Sequence, residues 1–370
     1  MQYAGCICLN TLYLILMSGI MKKPKNYKQQ LITKKKKIYP VNGQLRQYLA
    51  ENRREIELPV TYADLKHFNG HMAIRDKKGN DTLWEAALYA QNEVTHIHDG
   101  LKQIYSILKS GGDASVHTHL HVERIDYCTF GNSNPFRIKI VNDFNDNYDY
   151  FYVKQADASR VYGLELEHIL SPSRINYFVD RSTLIEEHIA GIPGDQFMFS
   201  YLQNPEFNKV RIAKEFVKFN ERCFVRLLGD MRSYNYVFDM TPDFEEVQFR
   251  IRPIDFDQQS YEGRKNLYLP QFFKENSELV ELTLALLTPE TIRQYQKEER
   301  TLIARRSISS QFRLGQLLDI MEADAIAPED KVEQLAKELA LHYKNESFYK
   351  CDSMGAIVRN SLKILVAEFA

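Results

Sequence analysis

The stretch Leu228–Gln258, LGDMRSYNYVFDMTPDFEEVQFRIRPIDFDQ, constrains this chain more than any other. Asp230 is followed five residues later by Asn235, and Tyr236 to Phe238 then reads as a short apolar strand. An acidic turn follows, and Phe249 to Ile254 reads as a second strand that delivers Asp255. The expectation is a hairpin with a carboxylate at each open end. Asn235 offers an amide carbonyl and Asp255 a carboxylate, the oxygen donors that magnesium accepts while keeping waters and other oxygens in its remaining positions. That leaves Asp230 to orient a hydroxyl and accept its proton.

Gly229-Asp230-x-x-x-x-Asn235 followed by Ile254-Asp255-Phe256-Asp257 resembles the catalytic loop and metal-binding motif of the protein-kinase-like superfamily. It is most similar to the aminoglycoside, choline and fructosamine kinase-like phosphotransferase branch, whose loop begins with a glycine before the aspartate. The resemblance implies an α+β, two-lobed protein-kinase-like fold with an antiparallel β N-lobe and a mostly helical C-lobe, to which the periodicity of the preceding residues adds a helical N-terminal extension. It implies ATP and magnesium as cofactors, Asp230 as catalytic base, and Asn235 and Asp255 as metal ligands. Catalysis of this kind is positioning plus neutralisation of phosphate charge. Three departures stand out: Leu228 where that branch has histidine, no arginine before Asp230, and Asp257 in place of the glycine of the protein-kinase triplet.

Upstream residues extend the pattern over roughly 121 to 260. Glu123 to Lys154 reads as three strands, with the turn Gly131-Asn132-Ser133 able to bring backbone N–H groups to phosphates. Lys154 ends the strand YFYVK, where a kinase-like lysine reaches the nucleotide. Ala158 to Leu170 reads as a helix carrying Glu165 and Glu167; the resemblance pairs one of them with Lys154, Glu165 preferred because it shares a face with Ile169. Strands over 175–179 and 183–189 complete five, and the backbone of Glu187, His188 and Ile189 resembles the adenine-contacting hinge. Glu186 reads as an edge charge. Helices over 197–202 and 208–226 feed the loop, and helix-patterned segments over 275–287, 289–307, 311–321 and 328–343 follow it.

The division expected is a solvated tail over 1–40, a mostly helical extension over 41–120, an N-lobe and hinge over 121–192, and a C-lobe over 193–370. Within the extension, Leu45, Tyr48 and Leu49 predict one helix, Leu83, Ala86, Ala87, Tyr89 and Ala90 a second behind Asn80-Asp81, and Ile97 to Leu108 a third stopped by Gly111. This region offers a surface for a protein partner. A net charge of -1 argues against nucleic acid as a partner. The apolar run Leu9 to Ile20 falls short of the roughly 20 residues of a membrane span, and scattered cysteines fit a reduced, cytoplasmic protein.

Two other readings exist. A nucleotide-binding pseudokinase or interaction protein without phosphotransfer is favoured by Leu228 and the loop Met231-Arg232-Ser233-Tyr234. A metal-dependent hydrolase would use His96, His98, His117, His119 and His121, but no further ligand stands beside them in sequence. The acceptor hydroxyl is left unspecified; the glycine before Asp230 and the hinge style point to a small molecule. Arg232 is either a phosphate-neutralising group or a structural ion pair.

Overall fold

The computed structural model describes residues 36–76, 79–111, 119–129, 131, 133–243 and 247–369. Two compact units account for the described residues. One comprises 36–161 with Arg174–His188, the other Tyr162–Ser173 with 189–369. The architecture is α+β: an antiparallel sheet with helices in the first unit, and mostly helices in the second.

The first unit is built on seven strands: β1 (Gly70–Arg75), β2 (Asp81–Leu88), β3 (Leu120–Cys128), β4 (Phe136–Asn142), β5 (Tyr148–Gln155), β6 (Tyr177–Asp180) and β7 (Thr183–Glu187). Their order across the sheet is β1-β2-β3-β4-β5-β7-β6. Side-chain alternation puts Phe136, Ile138, Ile140, Phe151, Val153 and Ile185 on one buried face. Helix α3 (Gln91–Ser110) covers that core with Ile97, Leu101, Ile104 and Leu108, and Gly111 ends it in the left-handed conformation. Helix α1 (Gly43–Glu51) is capped by the Asn42 side chain, and α2 (Tyr62–Leu65) by a reciprocal Thr61–Asp64 box.

Two expectations need correction here. The run Leu83 to Ala90 is not helical: its residues 81–88 form strand β2, paired with β1 on one side and β3 on the other. Its apolar spacing suits a strand as well as a helix, and pairing on both edges decides between them. The sheet therefore has two strands more than the five expected. Lys36 is not solvated either. It is buried in an ion pair with Asp157 (3.1 Å), while the Tyr39 carbonyl accepts the Ala158 N–H (2.8 Å) at the start of helix α4 (Ala158–Leu170). Residues 1–35, including the run Leu9–Ile20, lie outside the described residues.

The second unit contains α5 (Gly194–Ser200), α6 (Lys209–Arg226), α7 (Ser277–Leu286), α8 (Pro289–Ser309), α9 (Gln311–Ala323), α10 (Glu329–Tyr343) and α11 (Met354–Phe369). The last has a helical repeat of Ile357, Val358, Leu362 and Leu365 that the sequence reading passed over. A small sheet, ordered β10-β9-β8, joins β8 (Ile192–Pro193) to the expected hairpin of β9 (Tyr236–Pro242) and β10 (Val247–Pro253). Arg222 binds Glu215 of its own helix (2.5 Å) and reaches Glu299 of α8 (3.4 Å), and Arg226 of α6 pairs with Glu167 of α4. Arg300 binds Glu221 at 2.7 Å. Among the described residues no helix is long and apolar enough to cross a membrane.

Two glycines in this unit differ sharply in surroundings. A Cβ on Gly355 would fall 2.3 Å from the Met321 carbonyl carbon and 2.4 Å from the Glu322 nitrogen, whereas one on Gly315, inside α9, meets nothing within 4 Å. Gly355→Ala is expected to destabilise by about 1–3 kcal/mol through overpacking. Gly315→Ala is expected to stabilise by roughly 0.5–1 kcal/mol through the helix-interior glycine penalty. Urea unfolding of both variants checks this, and effects of the same sign would contradict the packing.

Candidate active site

Helix α6 ends where Leu227 enters the left-handed region (φ 55°), and the chain turns into a loop tied back at every step. The Gly229 N–H donates to the Gln258 carbonyl (3.2 Å), and a Cβ at position 229 would stand 3.0 Å from that same oxygen. Asp230 itself has φ 56°, a conformation that aspartate tolerates better than most residues. Its N–H donates to the Leu267 carbonyl (3.2 Å), and its own carbonyl accepts from the Arg232 N–H (2.8 Å) and from Asn235 Nδ2 (2.7 Å). Fully buried Asn276 completes the clamp, donating to the Met231 and Pro270 carbonyls (2.9 and 2.7 Å) and accepting from the Tyr236 hydroxyl (2.8 Å).

The structure brings Asp230, Asn235 and Asp255 together. Asn235 Nδ2 lies 3.4 Å from Asp230 Oδ2, and the Asn235 carbonyl accepts the Ile254 N–H (3.0 Å), which seats Asp255 beside the loop. Asp255 Oδ1 in turn accepts the Asp257 N–H (3.0 Å). Burial pushes the Asp230 carboxyl up to about 6; Arg232 opposes the rise, and the charges of Asp255 and Glu275 add to it. Arg232 bridges two carboxylates, with Nε 2.8 Å from Asp230 Oδ1 and Nη1 2.9 Å from Glu275 Oε1. It is the structural ion pair of the two alternatives. Glu275 and Asn276 were missed by sequence reasoning because nothing near them in the chain marks their contact with a loop some forty residues earlier.

Lys154 belongs to the first unit, and its partner corrects the expectation. Lys154 pairs with Leu184 and Tyr152 with Glu186 across β5 and β7, so Lys154 and Glu186 sit diagonally on one face of the sheet. Lys154 Nζ is 2.6 Å from Glu186 Oε2, and Arg160 holds the other oxygen at 3.1 Å. Glu186 is thus a buried counter-ion, not an edge charge. Glu165 and Glu167 are buried as well, but their partners are Arg313 (2.7 Å) and Arg226. A helix carboxylate takes whichever cation packs against it, and spacing along the helix carries no information about that.

Around the β3–β4 turn, Asn134 donates its backbone N–H to the Gly131 carbonyl (3.1 Å), and the Tyr62 hydroxyl donates to the Asn134 carbonyl (3.1 Å). Ser133 is buried; Asn132 lies outside the described residues. Glu187 accepts the Asn176 N–H (2.8 Å) at the end of β7, and His188 lies 3.3 Å from the Tyr152 hydroxyl, its pKa lowered chiefly by burial. Ile189, the third expected hinge residue, is buried in the second unit. Of the expected histidines, His119 tilts against the Phe144 ring, His121 pairs with Asp143 (2.5 Å), and His117 lies outside the described residues. Among the described residues no group of three His, Cys, Asp or Glu side chains is arranged to hold a metal.

No family model and no curated protein matches the chain. Solved structures that resemble it include the Rio2 kinase of Chaetomium thermophilum in its ADP/Mg2+-phosphoaspartate complex, at 8% identity and a TM-score of 0.30, covering 74% of this chain and 81% of that one. The autoinhibited serine kinase domain of the giant muscle protein titin is another, at 13% identity and a TM-score of 0.23, covering 61% and 88%. Both are protein kinases; at these scores the likeness is partial.

Proposed function

We propose that the chain is an ATP- and magnesium-dependent phosphotransferase of kinase-like fold whose acceptor is a small-molecule hydroxyl. The observation that carries this reading is the loop geometry: Asp230 is fixed through its backbone by Asn235, and burial raises its carboxyl to about 6, with the charge of Asp255 adding to the rise. A base with a pKa near neutrality is well matched to taking a hydroxyl proton. Asp230 orients the acceptor and receives that proton.

The residues fit magnesium by their chemistry. Asn235 spends its Nδ2 on the Asp230 carbonyl, which leaves Oδ1 as the donor a metal would take, and Asp255 would supply a carboxylate held by the Asp257 N–H. Bound there, the ion would neutralise phosphate charge. Within the first unit, Lys154, its ammonium fixed by Glu186, is the cation proposed for nucleotide phosphate.

Thermal unfolding with ATP, magnesium and both, beside Asp255→Ala, tests the reading. Saturation at about a hundred times the dissociation constant stabilises the native state by roughly 2.7 kcal/mol. The expected shift needs both ligands and is lost in the variant; turnover with a found acceptor should then fall by about 10²–10⁴ in Asp230→Ala. A nucleotide-binding pseudokinase is the second reading, favoured by the Arg232–Asp230 ion pair, which already occupies the base. A shift with ATP that ignores magnesium and Asp255 supports it, and no shift at all counts against both.

A further inference from the structure

One face of the first unit's sheet is apolar; the other carries polar and aromatic side chains. Across this second face the strand register sets Asp126 opposite Arg137, Arg137 opposite Tyr152, and Tyr152 opposite Glu186. Arg137 lies at the centre of this row. Its guanidinium makes two contacts to Asp126 Oδ2 (3.0 and 2.7 Å), stacks over the Trp84 ring at 4.4 Å, and faces the Tyr150 ring at 5.2 Å. Arg124 binds the same carboxylate (2.5 and 3.2 Å), so two guanidinium groups share Asp126, whose side chain is wholly buried. This cluster has one positive charge more than its carboxylate balances. A partly desolvated surplus cation is costly unless an anion joins it.

The four groups differ in access. Side-chain exposure is 8% at Lys154 and 2% at Arg160, both of which pair with Glu186, against 24% at Arg137 and 35% at Arg124. A planar guanidinium set among aromatic rings offers bidentate contact to phosphate, with ring faces beside it for a base. Taken with the nucleotide-binding reading above, on which this rests, we propose that Arg137 is the main phosphate-contacting cation of a nucleoside di- or triphosphate bound on this sheet face, with Trp84, Tyr150 and Tyr152 as the surface its base meets. Lys154, buried against Glu186, then acts without direct contact, through the net positive charge it shares with Glu186 and Arg160.

The chain has a single tryptophan, so its fluorescence reports this position directly. The experiment titrates the full chain with ATP, ADP and AMP, following Trp84 emission and thermal unfolding in parallel. Wild type is compared with Arg137→Lys, Arg137→Gln and the charge-balanced pair Arg137→Gln with Asp126→Asn. Far-UV circular dichroism confirms that each variant folds, and the pair keeps the test open if Arg137→Gln alone strands Asp126. The expected result is a saturable change in Trp84 emission, affinity falling from ATP to AMP, and at least a tenfold loss in Arg137→Gln or the pair, with Arg137→Lys between. ATP stabilisation that depends on magnesium and Asp255 but leaves Trp84 emission and the Arg137 variants unaffected overturns this inference and leaves the phosphotransferase reading standing. Binding that needs Arg137 but ignores Asp255 does the reverse. No response in either readout overturns both.

Discussion

Glu167→Ala is expected to lower the stability of the folded protein by about 3–5 kcal/mol, the cost of leaving a buried charge without its partner. Arg226 is 2% exposed, and its guanidinium has only buried acceptors: Glu167 and the Arg222 carbonyl at 2.9 Å. Burial already draws its pKa down to about 9. Without Glu167 the buried cation keeps the Arg222 carbonyl and the more distant charge of Glu299, but loses its contacting carboxylate. Equilibrium urea unfolding measures the loss. The double change Glu167→Leu with Arg226→Met removes both charges and is expected to recover most of it. If the double variant is no more stable than the single, the penalty comes from packing and the ion-pair account fails.

Asp230→Asn should stabilise the protein at pH 8 and not at pH 4. The Asp230 carboxyl sits at about 6 in the native state against an ordinary value of 3.8, so the folded protein holds that proton more tightly than the unfolded chain does. Below pH 4 both states are protonated and nothing is lost. As pH rises from about 4 to 6 the unfolded state ionises freely while the folded state resists, and native stability falls. Above pH 6 the deficit is constant at about 3 kcal/mol, from 1.36 kcal/mol per unit. Asparagine carries no charge at any of these values, so the gap between variant and wild type opens over that window. Denaturant unfolding at several pH values reads it directly; parallel curves would mean that Asp230 is not held under electrostatic strain. On the phosphotransferase reading proposed above, Asp230→Asn is expected to be more stable and inactive.

The loop and its hairpin were legible because their information is local. Asp230 and Asn235 are five residues apart, the strands that follow alternate, and Asp255 ends the second strand, so a sequence pattern and a backbone geometry coincide. Most helices were legible for the same reason: a periodic apolar face over 209–226 or 329–343 has one economical conformation. Strand β2 was misread because five apolar residues spaced by one to three positions fit two periods, and only its neighbours β1 and β3 choose between them.

What the chain order could not contain is which charge meets which. Lys154 was matched to a helix glutamate, yet strand register places Glu186 diagonal to it, while Glu165 and Glu167 answer to Arg313 and Arg226 from segments far along the chain. Arg232 lies between Asp230 and Glu275, and Lys36 is buried against Asp157, for the same reason. Periodicity and short motifs follow from the geometry of a few consecutive residues, which the sequence by itself determines. An ion pair in a desolvated interior is selected by proximity in three dimensions, because the Coulomb energy that repays desolvation exists only at contact distance, and only the tertiary structure decides who stands there.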